Sequence, residues 1–134
     1  MAEAIDLEIV TPERQLVKEQ VAEVQIPGKN GYMGILPGHA ALLSELGTGV
    51  LSYTIGTRKR FLSIHGGFVE VLPGKVRVLA NVSEKAEEID VEKARQDLEK
   101  AEERLINPAL GVDPAEALDA MALARARVAA CEQK

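Results

Sequence analysis

Aromatic side chains are nearly absent from this chain of 134 residues, which has two Tyr, two Phe and no Trp. Stacking of bases on aromatic platforms needs several such rings, so that mode of nucleic-acid binding is excluded, as is an aromatic sugar-binding face. There is no excess of positive charge either. The formal net charge is −5, the wrong sign for a surface that follows a phosphate backbone. Cys131 is the only cysteine, so no intramolecular disulfide forms and a reducing compartment fits. No apolar run approaches the roughly 20 residues that a membrane-spanning helix needs, and no direct bilayer insertion is expected. The opening MAEAIDLEIV lacks the basic-then-apolar pattern of a secretory signal and the Arg- and Ser-rich character of a transit peptide.

Patterns that carry chemistry are equally scarce. Gly28-Lys29 and Gly74-Lys75 are followed by Asn30 and Val76 instead of Ser or Thr, and no glycine stands at the upstream spacing of a phosphate-binding loop. His39 and His65 lie far apart and have no nucleophile or carboxylate at a suggestive spacing. No run has metal-ligand spacing. The chain therefore reads as non-catalytic, with no metal site and no required cofactor, and a free-standing enzyme on this scaffold is disfavoured.

What is present divides in two near residue 87. Residues 1–86 carry nine acids and nine bases, and residues 87–134 carry twelve acids and seven bases. In the first part Ile5, Leu7 and Ile9 alternate with Asp6 and Glu8, and Ala22, Val24 and Ile26 alternate with Glu23 and Gln25. A period of two predicts strands with one buried face. Thr11-Pro12 and Pro27-Gly28 end these runs. Lys29-Asn30-Gly31 predicts a tight hairpin, and so do Gly56-Thr57, between strands at 50–55 and 58–65, and Pro73-Gly74-Lys75, between strands at 68–72 and 76–82. Gly66-Gly67 inside this pattern marks a bulge or a close backbone approach. Arg58-Lys59-Arg60 reads as a solvated hairpin or as a patch for an acidic partner. Short strands with no intervening helix predict an antiparallel sandwich or barrel.

The second part predicts two helices. Val91, Ala94, Leu98, Ala101 and Leu105 form one apolar stripe behind Asp90 as N-cap. Asn107-Pro108 breaks the helix. Asp113-Pro114-Ala115-Glu116 combines an N-cap, a proline in the first turn and a glutamate. Ala117, Met121, Ala124, Val128 and Cys131 make the second stripe, in which Cys131 reads as a small seam residue. The two stripes should pair as an antiparallel hairpin. An alanine-rich seam buries little area, so an accessible open state is expected. Acids near the start of the second helix, with Arg125, Arg127 and Lys134 towards its end, suit either the helix dipole or an acidic partner.

Two segments carry more than pattern. GYMGILPGHAALL at 31–43 is a glycine- and proline-fixed corner bearing His39, and HGGFVEVLPGKVRVLA follows at 65–80. Together they resemble the epsilon subunits of F-type ATP synthases, in which the first segment usually reads close to GELGILPGHAPLL and the second contains SGGFLEV. The resemblance runs from about Asp6 to about Leu105. It implies an α+β fold, with a β-sandwich of two five-stranded sheets over 1–86 and a regulatory helical hairpin over 87–134. It also implies a non-catalytic rotor subunit of a proton-translocating complex, peripheral on the cytoplasmic face of a bacterial plasma membrane. The partners implied are the γ subunit, the c-ring and the α and β subunits.

The resemblance extends to residues. Tyr32, Gly34, Pro37, His39 and Leu42 would face the c-ring and γ, with Tyr32 standing where the family often has an acid. Arg125 and Arg127 would meet the catalytic head when the hairpin extends to brake hydrolysis. Some family members bind ATP weakly through an [IL]-D-x-x-R-A motif and further arginines. The matching positions are Ile89, Asp90, Lys93 and Ala94, with Glu84, Lys100 and Arg127. Lysine replaces arginine at 93 and 100, and Leu123 stands where a further arginine is expected. Asp90 as a simple N-cap and the lysines as a solvated face remain the plain alternative.

Overall fold

The computed structural model describes residues 3–107, 111 and 113–133. The expected breaker Pro108 and the terminal Lys134 lie outside them. Eight strands come first: β1 (Ile5–Val10), β2 (Gln15–Val21), β3 (Glu23–Gly28), β4 (Gly31–Ile35), β5 (Leu42–Glu45), β6 (Thr48–Ile55), β7 (Arg58–Leu72) and β8 (Lys75–Lys85). A 3-10 turn at Ala86–Glu88 leads to α1 (Val91–Ile106) and α2 (Pro114–Glu132).

The sandwich is built from one continuous sheet and not from two separate five-stranded ones. Its order is β2-β1-β8-β7-β6-β3-β4, with β5 also on β7. The long strands explain the difference. Residues 58–65 of β7 pair with β6, and residues 68–71 pair with β5. The ladder thus passes from one layer to the other without a break. It is also not wholly antiparallel, since β1 runs parallel to β8.

Gly66 and Gly67 make the passage. Their φ values are +72° and +121°, angles that a side chain strains. The buried side chains change parity across them, Leu62 and Ile64 before and Val69 and Val71 after. A slip of this kind keeps apolar residues inward on both halves of one strand. Those four join Ile5, Leu7, Ile9, Val24, Ile26, Leu51, Val76 and Val78 in one core.

β2 does not alternate, and sequence periodicity misses it. Leu16 and Val17 are both buried because the pairing with β1 shifts register between Ile9 and Val10. The three expected hairpins are present between β3 and β4, β6 and β7, and β7 and β8.

The two helices pack on each other, and α2 also packs on β6 and β7. It is therefore buried on two sides. Ala117 and Ala124 belong to the expected stripe, but Ala126 and Ala130 are buried too. Ala130 meets Ala86, Ile89 and Ala94 in a second core, bordered by Val50 and Phe61 of the sheet and by Val128 and Cys131. Beneath the helix, Ser52 and Ser63 pair directly with Phe61 and Val50. Both serines are buried, and their small size leaves room for a close helix.

Candidate functional site

One side chain joins the hairpin to the sandwich. Arg127 on α2 donates from Nε to Glu84 Oε1 at 2.7 Å and from Nη2 to Oε2 at 3.4 Å. Its Nη1 donates to Asp97 Oδ2 on α1 at 3.5 Å. The Arg127 side chain is 17% exposed. A planar fork of this kind holds two carboxylates from β8 and α1 at once, which a lysine cannot do. Asp97 also takes the Lys93 ammonium at 3.7 Å, one turn back along α1.

Beside this clasp runs a groove of about 290 Å³ between the helices, with Asp97, Lys100, Arg104, Leu123 and Arg127 on its walls. Three cations around one carboxylate give it the charge to hold a polyanion. Of the residues expected at a nucleotide site, Lys100 and Arg127 line this groove, and Glu84 is tied to it through Arg127. Ile89 and Ala94 are packing residues in the second core. Asp90 caps α1, accepting from the Lys93 amide at 3.1 Å. Lys93 is turned to Asp97. Sequence reasoning missed Asp97 and Arg104. The signal is their i, i+4 spacing from Lys93 and Lys100.

A second tie crosses the junction nearer the start of α2. His65 on β7 contacts Asp119 Oδ2 through Nε2 at 3.1 Å and Thr48 Oγ1 through Nδ1 at 2.9 Å. The linker has a tie of its own. Arg14 donates to both oxygens of Glu88, at 3.0 and 2.8 Å. This hydrogen bond holds the Glu88 carboxyl below its ordinary range and raises the Arg14 guanidinium.

The five residues expected to face the rotor separate. Pro37, His39 and Leu42 surround the corner, which the Gly38 amide pins to the Pro73 carbonyl at 2.6 Å. His39 Nδ1 contacts the Ala40 carbonyl at 2.7 Å. Leu36 and Leu43 stand beside it at 58% and 72% exposure. Gly34 is exposed on β4. Tyr32 instead lies over Gly49, its hydroxyl accepting from the Val50 amide at 2.9 Å. There it lines a cleft with Thr48, Ala122 and Arg125. Arg125 is exposed and Arg127 is engaged, so the pair expected to act together is divided in this arrangement. Phe68 and Leu79, direct cross-strand neighbours with about half their surface open, form an outer apolar spot that sequence reasoning missed. The parity change at Gly66-Gly67 hid which face Phe68 takes.

A family model described as ATP synthase, Delta/Epsilon chain, beta-sandwich domain matches residues 4–86, and one described as the long alpha-helix domain of the same chains matches 87–132. The chain belongs to the ATP synthase delta/epsilon family. An ATP synthase epsilon chain of Solibacter usitatus is 56% identical over the full length of both chains. One from Koribacter versatilis is 50% identical over 78% of this chain and 74% of its own. Among solved structures, a chain of the Euglena gracilis mitochondrial ATP synthase (OSCP, F1 and c-ring) superposes with a TM-score of 0.80 at 30% identity, over 91% of this chain and 78% of that one. Among the described residues no helix is long and apolar enough to cross a bilayer.

Proposed function

We propose that the chain is an epsilon-type subunit of the central stalk of a proton-translocating ATP synthase, non-catalytic and peripheral on the cytoplasmic face of a bacterial plasma membrane. Residues 1–86 form the part that sits on γ and the c-ring. The corner at Leu36–Leu43 supplies the contact with the ring, and the outer apolar spot at Phe68 and Leu79 the contact with γ. Residues 87–134 form a regulatory hairpin. Docked, it permits hydrolysis. Released and extended, it brings Arg125 and Arg127 to the α and β subunits and brakes hydrolysis.

The observation that carries this reading is the clasp. Arg127 cannot serve the catalytic head while Glu84 and Asp97 hold it, so docking and braking compete for one side chain. The test is ATP hydrolysis by a catalytic head–γ complex with added full-length chain, against a chain ending at Glu88, once both are shown to bind. Inhibition by the full chain alone supports the brake, and equal rates overturn it. Glu84→Gln should strengthen inhibition by loosening the docked state. Phe68→Asp should weaken binding to γ by about tenfold or more, since burying a charge in an apolar contact is costly.

The cationic groove favours a second reading, weak ATP binding. The nucleotide phosphates would replace Glu84 and Asp97 at Arg127 and use Lys100 and Arg104. Calorimetry with ATP tests it. Binding that Lys100→Ala weakens, with the sandwich intact, supports it, and no heat at millimolar ATP removes it.

A further inference from the structure

We propose that His65, Thr48 and Asp119 form a pH-graded latch that holds the hairpin on the sandwich more tightly when the imidazole is protonated. The inference rests on the hairpin being a movable part, as read above. Both ring nitrogens are engaged, Nδ1 by the Thr48 hydroxyl at 2.9 Å and Nε2 by the Asp119 carboxylate at 3.1 Å. The His65 side chain is 16% exposed and that of Asp119 is 70% exposed. Asp119 sits on the helix and the other two residues on the sheet, so the contact exists only while α2 is docked.

Thr48 makes the latch graded and not all-or-none. A hydroxyl both donates and accepts. With a neutral ring protonated on Nε2, Thr48 donates to Nδ1 and the ring donates to Asp119. With a charged ring, Nδ1 donates to Thr48 and Nε2–H donates to Asp119 with donor and acceptor both charged, so an ion pair is added to a hydrogen bond that the carboxylate already accepted. No geometry changes between the two states. Only the strength of one contact across the junction changes with the ring's protonation.

Among the described residues the ring's hydrogen-bond partners are Thr48 and Asp119. From β6 the ring meets Thr48, and from β8 its pairing neighbour is Val82. Glu84 lies two residues further along β8 and is held by Arg127. From α2 come Asp119 and, in the cleft that Thr48 lines, Arg125. The linker tie does not titrate with the ring, because Arg14 holds the Glu88 carboxyl below its ordinary value of 4.5. His39, the other histidine, sits at the corner beside Pro73, at the opposite end of β7 from the strand segment that carries α2.

The test is amide exchange of the full chain, residue by residue, corrected for intrinsic rates and read as the opening constant of α2 relative to the core strands. Raising pH from about 5.5 to about 8 should increase that constant roughly two- to fivefold, the range of a partly exposed ion pair. His65→Gln keeps polar ends but does not titrate, and Asp119→Asn keeps an acceptor without the charge. Each should flatten the dependence. A pH-independent opening constant in the natural chain overturns the latch, and so does the same slope in either variant. Exchange of α2 only together with the core strands overturns both the latch and the movable hairpin. Asp119→Asn, at an exposed position, decides the matter if His65→Gln does not fold.

Discussion

A Cβ at Gly67 would run into the Leu79 carbonyl oxygen and come within 2.9 Å of the Ala80 Cα. The backbone there is also at φ +121°. Neither neighbour is a side chain that could turn aside, so Gly67→Ala should cost about 2 kcal/mol or more, read as a lower urea midpoint. Tyr53 gives a different residue-scale signature. Burial, with its hydroxyl donating to Glu19 at 3.0 Å, raises the phenol to about 12. The folded value lies above the ordinary one near 10, so its stabilising contribution is complete below about pH 10 and is lost as pH rises through about 12. Tyr53→Phe should remove this alkaline slope from a stability–pH profile, and an unchanged slope would refute the assignment. Glu88 acts with the opposite sign. Its lowered value, due first to the Arg14 hydrogen bond, gives a contribution present above the ordinary carboxyl range and lost on acidification. Arg14→Ala should flatten that acid limb, and only slightly, since both groups are solvent-screened.

At the scale of elements, α2 is the helix with two obligations. Ala130 is fully buried among Ala86, Ile89 and Ala94, where a larger side chain has no room. Ala130→Leu should destabilise docking by about 1–3 kcal/mol through overpacking. The expected readout is faster amide exchange in α2 with the core strands unchanged, and slower exchange would contradict it. This second face was not legible beforehand, and the reason is physical. Ala122, Ala126, Ala129 and Ala130 leave α2 without a sharply polar side, so one stripe could be traced and the other could not. The first stripe, both N-caps, the hairpin turns and most alternating strands were legible, because each rests on local chemistry. β2 was not, because a register shift places two adjacent apolar residues inward. The continuous ladder through β7 was not, because glycine in a strand announces a bulge without saying what lies on either side. The candidate site follows the same division. Glu84, Lys100 and Arg127 could be named from resemblance, whereas the Asp97 bridge depends on how α1 and α2 face each other.

For the whole molecule, the ties locate the pivot. The turn at Ala86–Glu88 lies between the two parts in sequence, yet it is fastened to the sandwich. Arg14 holds Glu88 with two bonds, and Arg60 approaches Glu87 at 3.9 Å. Beyond it, α2 is held down by the packing of alanines, Val128 and Cys131, by the Arg127 clasp and by His65–Asp119. Opening should therefore hinge at Ile89-Asp90 and leave the turn in place. This makes truncation informative. A chain ending at Glu88 keeps the ties of the turn and loses buried Ile89, the two side-chain ties at Glu84 and His65, and alanine packing that contributes little per residue. Its urea midpoint should match that of the core strands in the full chain. A chain ending at Lys85 also loses the partner of Arg14, a solvent-screened pair, and should be slightly less stable still. If the chain ending at Glu88 were already as unstable as the shorter one, the hairpin would be part of the sandwich's cooperative unit. A hairpin that cannot leave without unfolding its platform could not act as a brake.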